Sequence, residues 1–199
     1  MSEQLPANDE AAAPTHPIRL VVTDDLRRNR LTVFFRLLLF VPHALWLALW
    51  GIAAGIAVIA AWLVGIVTGR VPDGLHRFLA SYVRYSTHVT SYLWIASDPF
   101  PGFSGQTAYP VDVEIAPAAS QSRLTIFFRL LLAIPALIVL NVLQYVAYVV
   151  AILAWFLALF TGGVSKGMRD LLAYCLRYQA QSYGYVLLLT ARYPSFSDE

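Results

Sequence analysis

The stretch RLTVFFRLLL at residues 30–39 returns as RLTIFFRLLL at residues 123–132, which lie 93 positions further along the chain. The same offset aligns residues 17–104 with residues 110–197 without a gap, and 28 of these 88 positions are identical. The identical positions include arginine, proline and tryptophan, so a shared apolar composition does not explain the match. The chain therefore contains one structural unit twice.

The composition is that of a membrane protein. Of the 199 residues, 58% are apolar and 13% are charged, and the mean hydropathy is +0.61. An average soluble domain carries about 25% charged residues, so 14 basic and 12 acidic side chains are too few to cover a soluble protein of this composition. High hydrophobicity excludes disorder of the whole chain, and a net charge of +2 is too small to indicate nucleic acid. We expect the lipid bilayer as a partner, together with another membrane protein, and no nucleic acid.

The repeat divides the chain into a tail, two units and a linker. Residues 1–16 are polar and acidic and lack the basic start and apolar run of a signal peptide. We therefore expect them to form an uncleaved, disordered tail. The offset then predicts a first unit at 17–104, a linker at 105–109 and a second unit at 110–198.

The second unit carries a recognisable series of short motifs, which are YPV at 109–111, SRLTIFFRLLLAIP at 122–135, FTG at 160–162 and YPSFS at 193–197. This series resembles the domain-of-unknown-function 4389 family, membrane proteins common in actinobacteria. The first unit departs from the pattern, with HPI at 16–18 and FPGF at 100–103. The resemblance covers residues 16–198 and implies a membrane protein without an assigned activity, so it brings no catalytic residues.

Each unit contains a long run without formal charge, at residues 37–69 and 130–165. A bilayer core of about 30 Å needs about 20 helical residues, whereas 33 residues make a helix of about 50 Å. The run is therefore too long for one upright span and too short for two.

A proline near the start of each run offers one solution, because proline inside a helix kinks it. These residues are Pro42 and Pro135. We interpret residues 30–41 as an amphipathic segment at the interface and residues 43–68 as the membrane-spanning helix. A shallow re-entrant hairpin near residues 51–55 is the alternative.

A short strand and a second helix complete the predicted unit. Apolar residues alternate at 18–22 and 111–115, which predicts strands. In residues 73–96 the polar side chains recur every three or four positions, which predicts a helix with one polar stripe. Its counterpart at 166–189 keeps part of that stripe. Each helix either returns through the membrane or lies along its surface.

The last residues of these segments, 92–96 and 185–189, are apolar, and the alternative to a helix end is that they form strands. In that case they pair with the strands at 18–22 and 111–115. The predicted fold class is an all-α integral membrane protein, built from a duplicated unit of kinked transmembrane helix and second, amphipathic helix, with short β-strands at the ends of the units.

Candidate binding residues lie on the polar stripe. Arg84 and Arg177 recur in both units inside apolar surroundings, where a charge costs about 2.5–3.5 kcal/mol at a helix centre and is functional by default. They are candidate ligands for a lipid phosphate or an anionic substrate, and the alternative is a structural, ion-paired or snorkelling arginine. His88 is a weaker candidate, since Gln181 replaces it in the second unit.

No motif of a known catalytic class is present, and the single cysteine, Cys175, excludes a cysteine-based zinc cluster. We expect no catalytic residue, no metal site and no cofactor, and therefore no enzyme.

Small residues form a stripe along each apolar run, where helices in lipid approach one another closely. The predicted packing residues are Ala54, Ala61, Gly65, Ala147, Ala154 and Ala158. We expect the helices at 43–68 and 136–161 to pack against each other through this stripe.

These observations favour a non-catalytic, multi-pass protein of the cytoplasmic membrane that acts as a scaffold or accessory component of a membrane assembly. The alternative is a lipid- or small-solute-binding or transport protein that uses Arg84 and Arg177. Basic residues at 27–36 precede the first run and favour a cytoplasmic amino terminus. Arg70 and Arg77 follow that run, and if all of these residues are cytoplasmic, the re-entrant hairpin is favoured.

Overall fold

The computed structural model describes residues 16–105 and 108–197. In chain order its elements are β1 (Ile18–Val22), α1 (Arg30–Phe34), α2 (Arg36–Thr68), α3 (Asp73–Leu93), β2 (Val111–Ile115), α4 (Arg123–Phe127), α5 (Arg129–Thr161) and α6 (Lys166–Val186). Every element of the first unit has a counterpart of equal length at the same offset, so the sequence repeat is also a structural repeat. Of the predicted tail, only His16 is among the described residues. Of the predicted linker, residues 106 and 107 lie outside them.

The long apolar run of each unit is one helix of 33 residues. Pro42 lies inside α2, and the break comes before it, at Phe35, whose φ of −88° and ψ of 7° separate α1 from α2. The division expected at Pro42 is therefore wrong, and so is the alternative hairpin, because residues 51–55 are continuous helix. The break at Phe35 lets α1 pack on α5 of the other unit while α2 packs on α3 of its own.

The two predicted strands are present, and they pair with each other. β1 and β2 form an antiparallel two-stranded sheet that joins the units. The alternative pairing with residues 92–96 and 185–189 is wrong. The backbone N–H groups of Trp94, Ile95 and Ala96 bond to carbonyl groups in the last turn of α3, so this segment closes a helix and does not add a strand.

A pseudo-two-fold axis relates the units. Leu20 and Val113, which are equivalent positions of the repeat, lie opposite each other at the centre of the sheet. Away from the sheet, the Trp62 indole donates to the Ile126 carbonyl at 3.0 Å, and its counterpart Trp155 donates to the Val33 carbonyl at 2.9 Å. Each unit thus holds the short helix of the other.

Helices α3 and α6 pack together at the centre, with the sheet against both of them. Helix α2 packs mainly on α3 and α4, and α5 packs mainly on α6 and α1. The small-residue stripe is buried on these faces, at Ala54, Ala61, Gly65, Ala147, Ala154 and Ala158. The expected contact of α2 with α5 through this stripe is therefore wrong, because the central helix pair occupies the position between them.

The opposite faces of α2 and α5 are exposed and apolar. Of the most apolar 18-residue stretch of each helix, 11% and 22% is buried. The exposed side chains include Leu45, Leu49, Ile52, Ile56, Ile59 and Leu63 on α2, and Ile138, Val142, Val149, Ile152 and Phe156 on α5. Among the described residues, these two helices are long and apolar enough to cross a membrane.

Candidate functional site

The polar stripe of α3 faces β2 of the other unit. His88 and Arg84 lie one helical turn apart, and both reach Asp112 on β2. The Asp112 Oδ1 atom lies 2.8 Å from His88 Nε2 and 3.2 Å from Arg84 Nε. Arg84 Nε also donates to the Val113 carbonyl at 3.1 Å. Two of the predicted binding residues are therefore joined in one ionic cluster between the units.

The electrostatics of the cluster favour a charged Asp112. Burial alone raises the pKa of this carboxyl group, but the hydrogen bonds that it accepts from His88 and from the Val113 backbone N–H, together with the positive charge of Arg84, outweigh burial and lower its pKa. His88 is buried and Arg84 is partly exposed. Since each side chain already has a partner in the protein, the cluster fastens helix α3 to the sheet.

Arg177, the third predicted binding residue, has different surroundings. Its Nη2 atom donates to the Phe196 carbonyl at 2.9 Å, and its guanidinium lies 5.1 Å from the Tyr174 ring centroid. Arg19, the counterpart of Asp112, is exposed. The structure does not bring Arg84 and Arg177 into one site.

Each of these two arginines lines its own cavity. The cavity at Arg84 has a volume of about 670 Å³ and lies between the first half of α3 and residues 115–118. Arg70 and Arg77 also line it, and Arg70 pairs with Asp73 at 2.9 Å. The cavity at Arg177 is smaller, at about 230 Å³. The first cavity is thus the larger and the more cationic.

The sequence analysis missed a second pair of arginines, Arg36 and Arg129, which are each 1% exposed. Arg36 Nη1 donates to the carbonyl groups of Tyr92 and Ser97 at 2.6 and 3.0 Å, and Nη2 donates to Asp98 at 3.1 Å. Its guanidinium lies 4.3 Å from the Tyr92 ring centroid. Arg36 thereby ties the start of α2 to the end of α3.

Arg129 repeats this arrangement with different partners. It donates to the Thr190 carbonyl at 3.0 Å and to the Gln121 side chain, and its guanidinium lies 4.1 Å from the Tyr185 ring centroid. The signal for both arginines was in the sequence, because each ends a repeated Phe-Phe-Arg motif. The interpretation of residues 30–41 as an interfacial segment places Arg36 at the membrane surface, whereas the structure buries it.

Within residues 16–105 and 108–197, no three histidine, cysteine or acidic side chains are grouped as a metal site requires. Cys175 is buried in an apolar cluster with Trp94, Ala147 and Leu176. These contacts give it the surroundings of a small apolar residue.

Comparison with known proteins gives a family and no activity. No curated protein and no solved structure matches this sequence. The family described as domain of unknown function (DUF4389) matches residues 30–104 and again residues 123–198. These two segments make up most of the chain and coincide with the structural repeat, so the protein belongs to the DUF4389 family and contains two tandem copies of its domain.

Proposed function

We propose that this protein is a non-catalytic integral protein of the cytoplasmic membrane, held there by α2 and α5, and that it serves as a scaffold or accessory component of a membrane assembly. The observation that carries the proposal is the exposed apolar face of each of these helices. Soluble monomers rarely expose contiguous apolar patches of more than a few hundred Å². Contact with lipid acyl chains removes both of these apolar faces from water.

The polar groups support a structural role. Asp112 engages Arg84 and His88, and the carbonyl groups at the end of α3 engage Arg36. Buried polar groups that are hydrogen-bonded to one another stabilise a fold. A scaffold needs such a fixed shape, and it needs no reactive side chain.

Membrane fractionation of cells that express the full chain tests membrane insertion. We expect the protein to stay in the membrane pellet after a wash at alkaline pH and to dissolve only with detergent. Release by the alkaline wash would refute insertion. Purification in a mild detergent then tests the scaffold role, and repeated recovery of the protein alone would count against that role.

A second candidate is the binding of an anionic lipid or solute, which is favoured by the three arginines that line the cavity of about 670 Å³ beside α3. The test replaces Arg70, Arg77 and Arg84 with glutamine and measures co-purified anionic lipid by mass spectrometry. Loss of that lipid from a folded variant supports this candidate, and an unchanged amount removes it.

A further inference from the structure

We infer that α2 and α5 both lie along the membrane within its cytoplasmic leaflet and do not cross it. The interacting surface consists of the exposed apolar faces of α2 and α5, and it contacts the acyl-chain region of one leaflet. This inference rests on the proposed membrane insertion, and it replaces the multi-pass arrangement expected from the sequence.

The first argument is the direction of the helices. The backbone of Arg27, ahead of α2, pairs with that of Gly163, after α5. The backbone of Arg70, after α2, pairs with that of Ser120, ahead of α5. Helices α2 and α5 are therefore antiparallel, and the molecule has two ends, each made from both units.

The second argument is that both ends carry several arginines, beside Asp24 and Asp170 at one end and Asp73 at the other. One end carries Arg27 and Arg30, and Arg169 reaches it through a 3.3 Å contact of Nη1 with the Asp24 carbonyl. The other end carries Arg70 and Arg123, whose side chain lies beside Gly69. The cytoplasmic flanks of membrane segments carry an excess of lysine and arginine, and acidic residues contribute little to this bias. A molecule that crossed the membrane would place one of these ends outside.

The third argument is the position of the sheet. β2 lies lengthwise along α3, since Asp112 contacts His88 while residues 115–118 border the cavity that reaches Arg70. Upright helices would carry this sheet to the depth of the hydrocarbon. Lipid-exposed sheet edges do not occur there, and Arg19 and Glu114 are exposed on these strands.

The fourth argument is length. A helix of 33 residues is about 50 Å long, and it would have to tilt by about 50° to fit a hydrocarbon core of about 30 Å. Transmembrane helices tilt by about 0–40°. A helix that lies along the membrane has no such limit.

Labelling with a membrane-impermeant maleimide tests the inference in a Cys175→Ala background. Lys166→Cys follows α5 and Ser122→Cys precedes it, and both positions are exposed. We expect both cysteines to react in inside-out vesicles and neither in intact cells. Labelling of the two from opposite sides, or of either from outside, overturns the inference. Labelling of the detergent-solubilised protein is the control that shows whether each cysteine can react. A cysteine that reacts only in detergent is buried in lipid, and this result also overturns the inference.

Depth measurement provides a second readout that does not depend on the ends. A fluorophore is attached at Leu45→Cys, Ile56→Cys or Val67→Cys, and its quenching by spin-labelled lipids is compared. We expect one common depth, whereas a crossing helix would spread these positions over about 33 Å along its axis. The alkaline wash separates the two proposals, because a crossing protein also stays in the pellet and only a failure of insertion releases it.

Discussion

Equivalent positions of α3 and α6 hold their strands by different chemistry. In the first unit His88 and Arg84 bind the Asp112 carboxylate. In the second, Gln181 replaces His88, and its Nε2 atom donates to the Ile18 carbonyl at 3.3 Å while its Oε1 atom accepts from Ser195 N at 2.9 Å. The fold requires that each central helix be fastened to the strand beside it. It does not require an ion pair.

The buried arginines extend this comparison and carry the largest expected effect. Arg36→Met removes the donor of the Ser97 carbonyl and one of the donors of the Tyr92 carbonyl and of Asp98, so we expect a loss of about 3–5 kcal/mol in the free energy of unfolding. Arg129→Met leaves one carbonyl group and Gln121 without a donor, and we expect a smaller loss. Denaturant unfolding in detergent measures both. Equal stability of Arg36→Met and wild type would contradict a fastening role.

The carboxylate of the first unit comes next. Asp112→Ala removes the acceptor of buried His88 and one of the two acceptors of Arg84, and we expect a loss of about 2 kcal/mol. Its matched control is Arg19→Ala at the equivalent, exposed position, which should stay within about 0.5 kcal/mol of wild type. If the two variants are equally stable, the ionic cluster contributes nothing to the fold.

The small-residue faces are expected to respond alike in both units. Ala61 and Ala154 are each 0% exposed, and leucine at either position overpacks its interface, at a cost of about 1–3 kcal/mol. The controls Ile59→Leu and Ile152→Leu change exposed positions at constant volume and should be tolerated. Thermal unfolding in detergent compares the four variants. If Ala61→Leu and Ala154→Leu are as stable as the two controls, positions 61 and 154 face lipid and not a neighbouring helix.

The smallest expected effect is a pH dependence. Burial lowers the pKa of His76 below its ordinary value of 6.5, against opposing contributions from the Leu189 carbonyl and Asp73. The unfolded chain then takes up a proton first, so stability is full above about pH 6.5 and falls as the pH decreases through that value. Arginine stands at the equivalent position 169, so the fold does not require histidine there. His76→Gln removes the titrating group and should reduce this pH dependence, which is measured as the change in the unfolding midpoint between pH 5 and 8. An unchanged slope would assign it to other groups.

The elements that follow from local pattern could be predicted from the sequence, and the contacts between units could not. Alternation located the strands, and the three-to-four spacing located α3 and α6, because both patterns lie within a few residues. The partner of β1 lies 93 positions away, and periodicity contains no information about it. Asp112 was missed for the same reason, since the alignment of the repeat places it opposite Arg19 and not beside His88. Proline in the second turn of α2 removes one backbone donor, and the helix continues through it.

The reciprocal indole bonds of Trp62 and Trp155 have a consequence for any chain that contains one copy of the domain. Each unit is incomplete without the helix it receives from the other, and the two exchanges are equivalent. Such an arrangement is the isologous interface of a two-fold homodimer. A chain with a single copy of the domain would make the same two contacts by pairing with a second copy of itself around a two-fold axis.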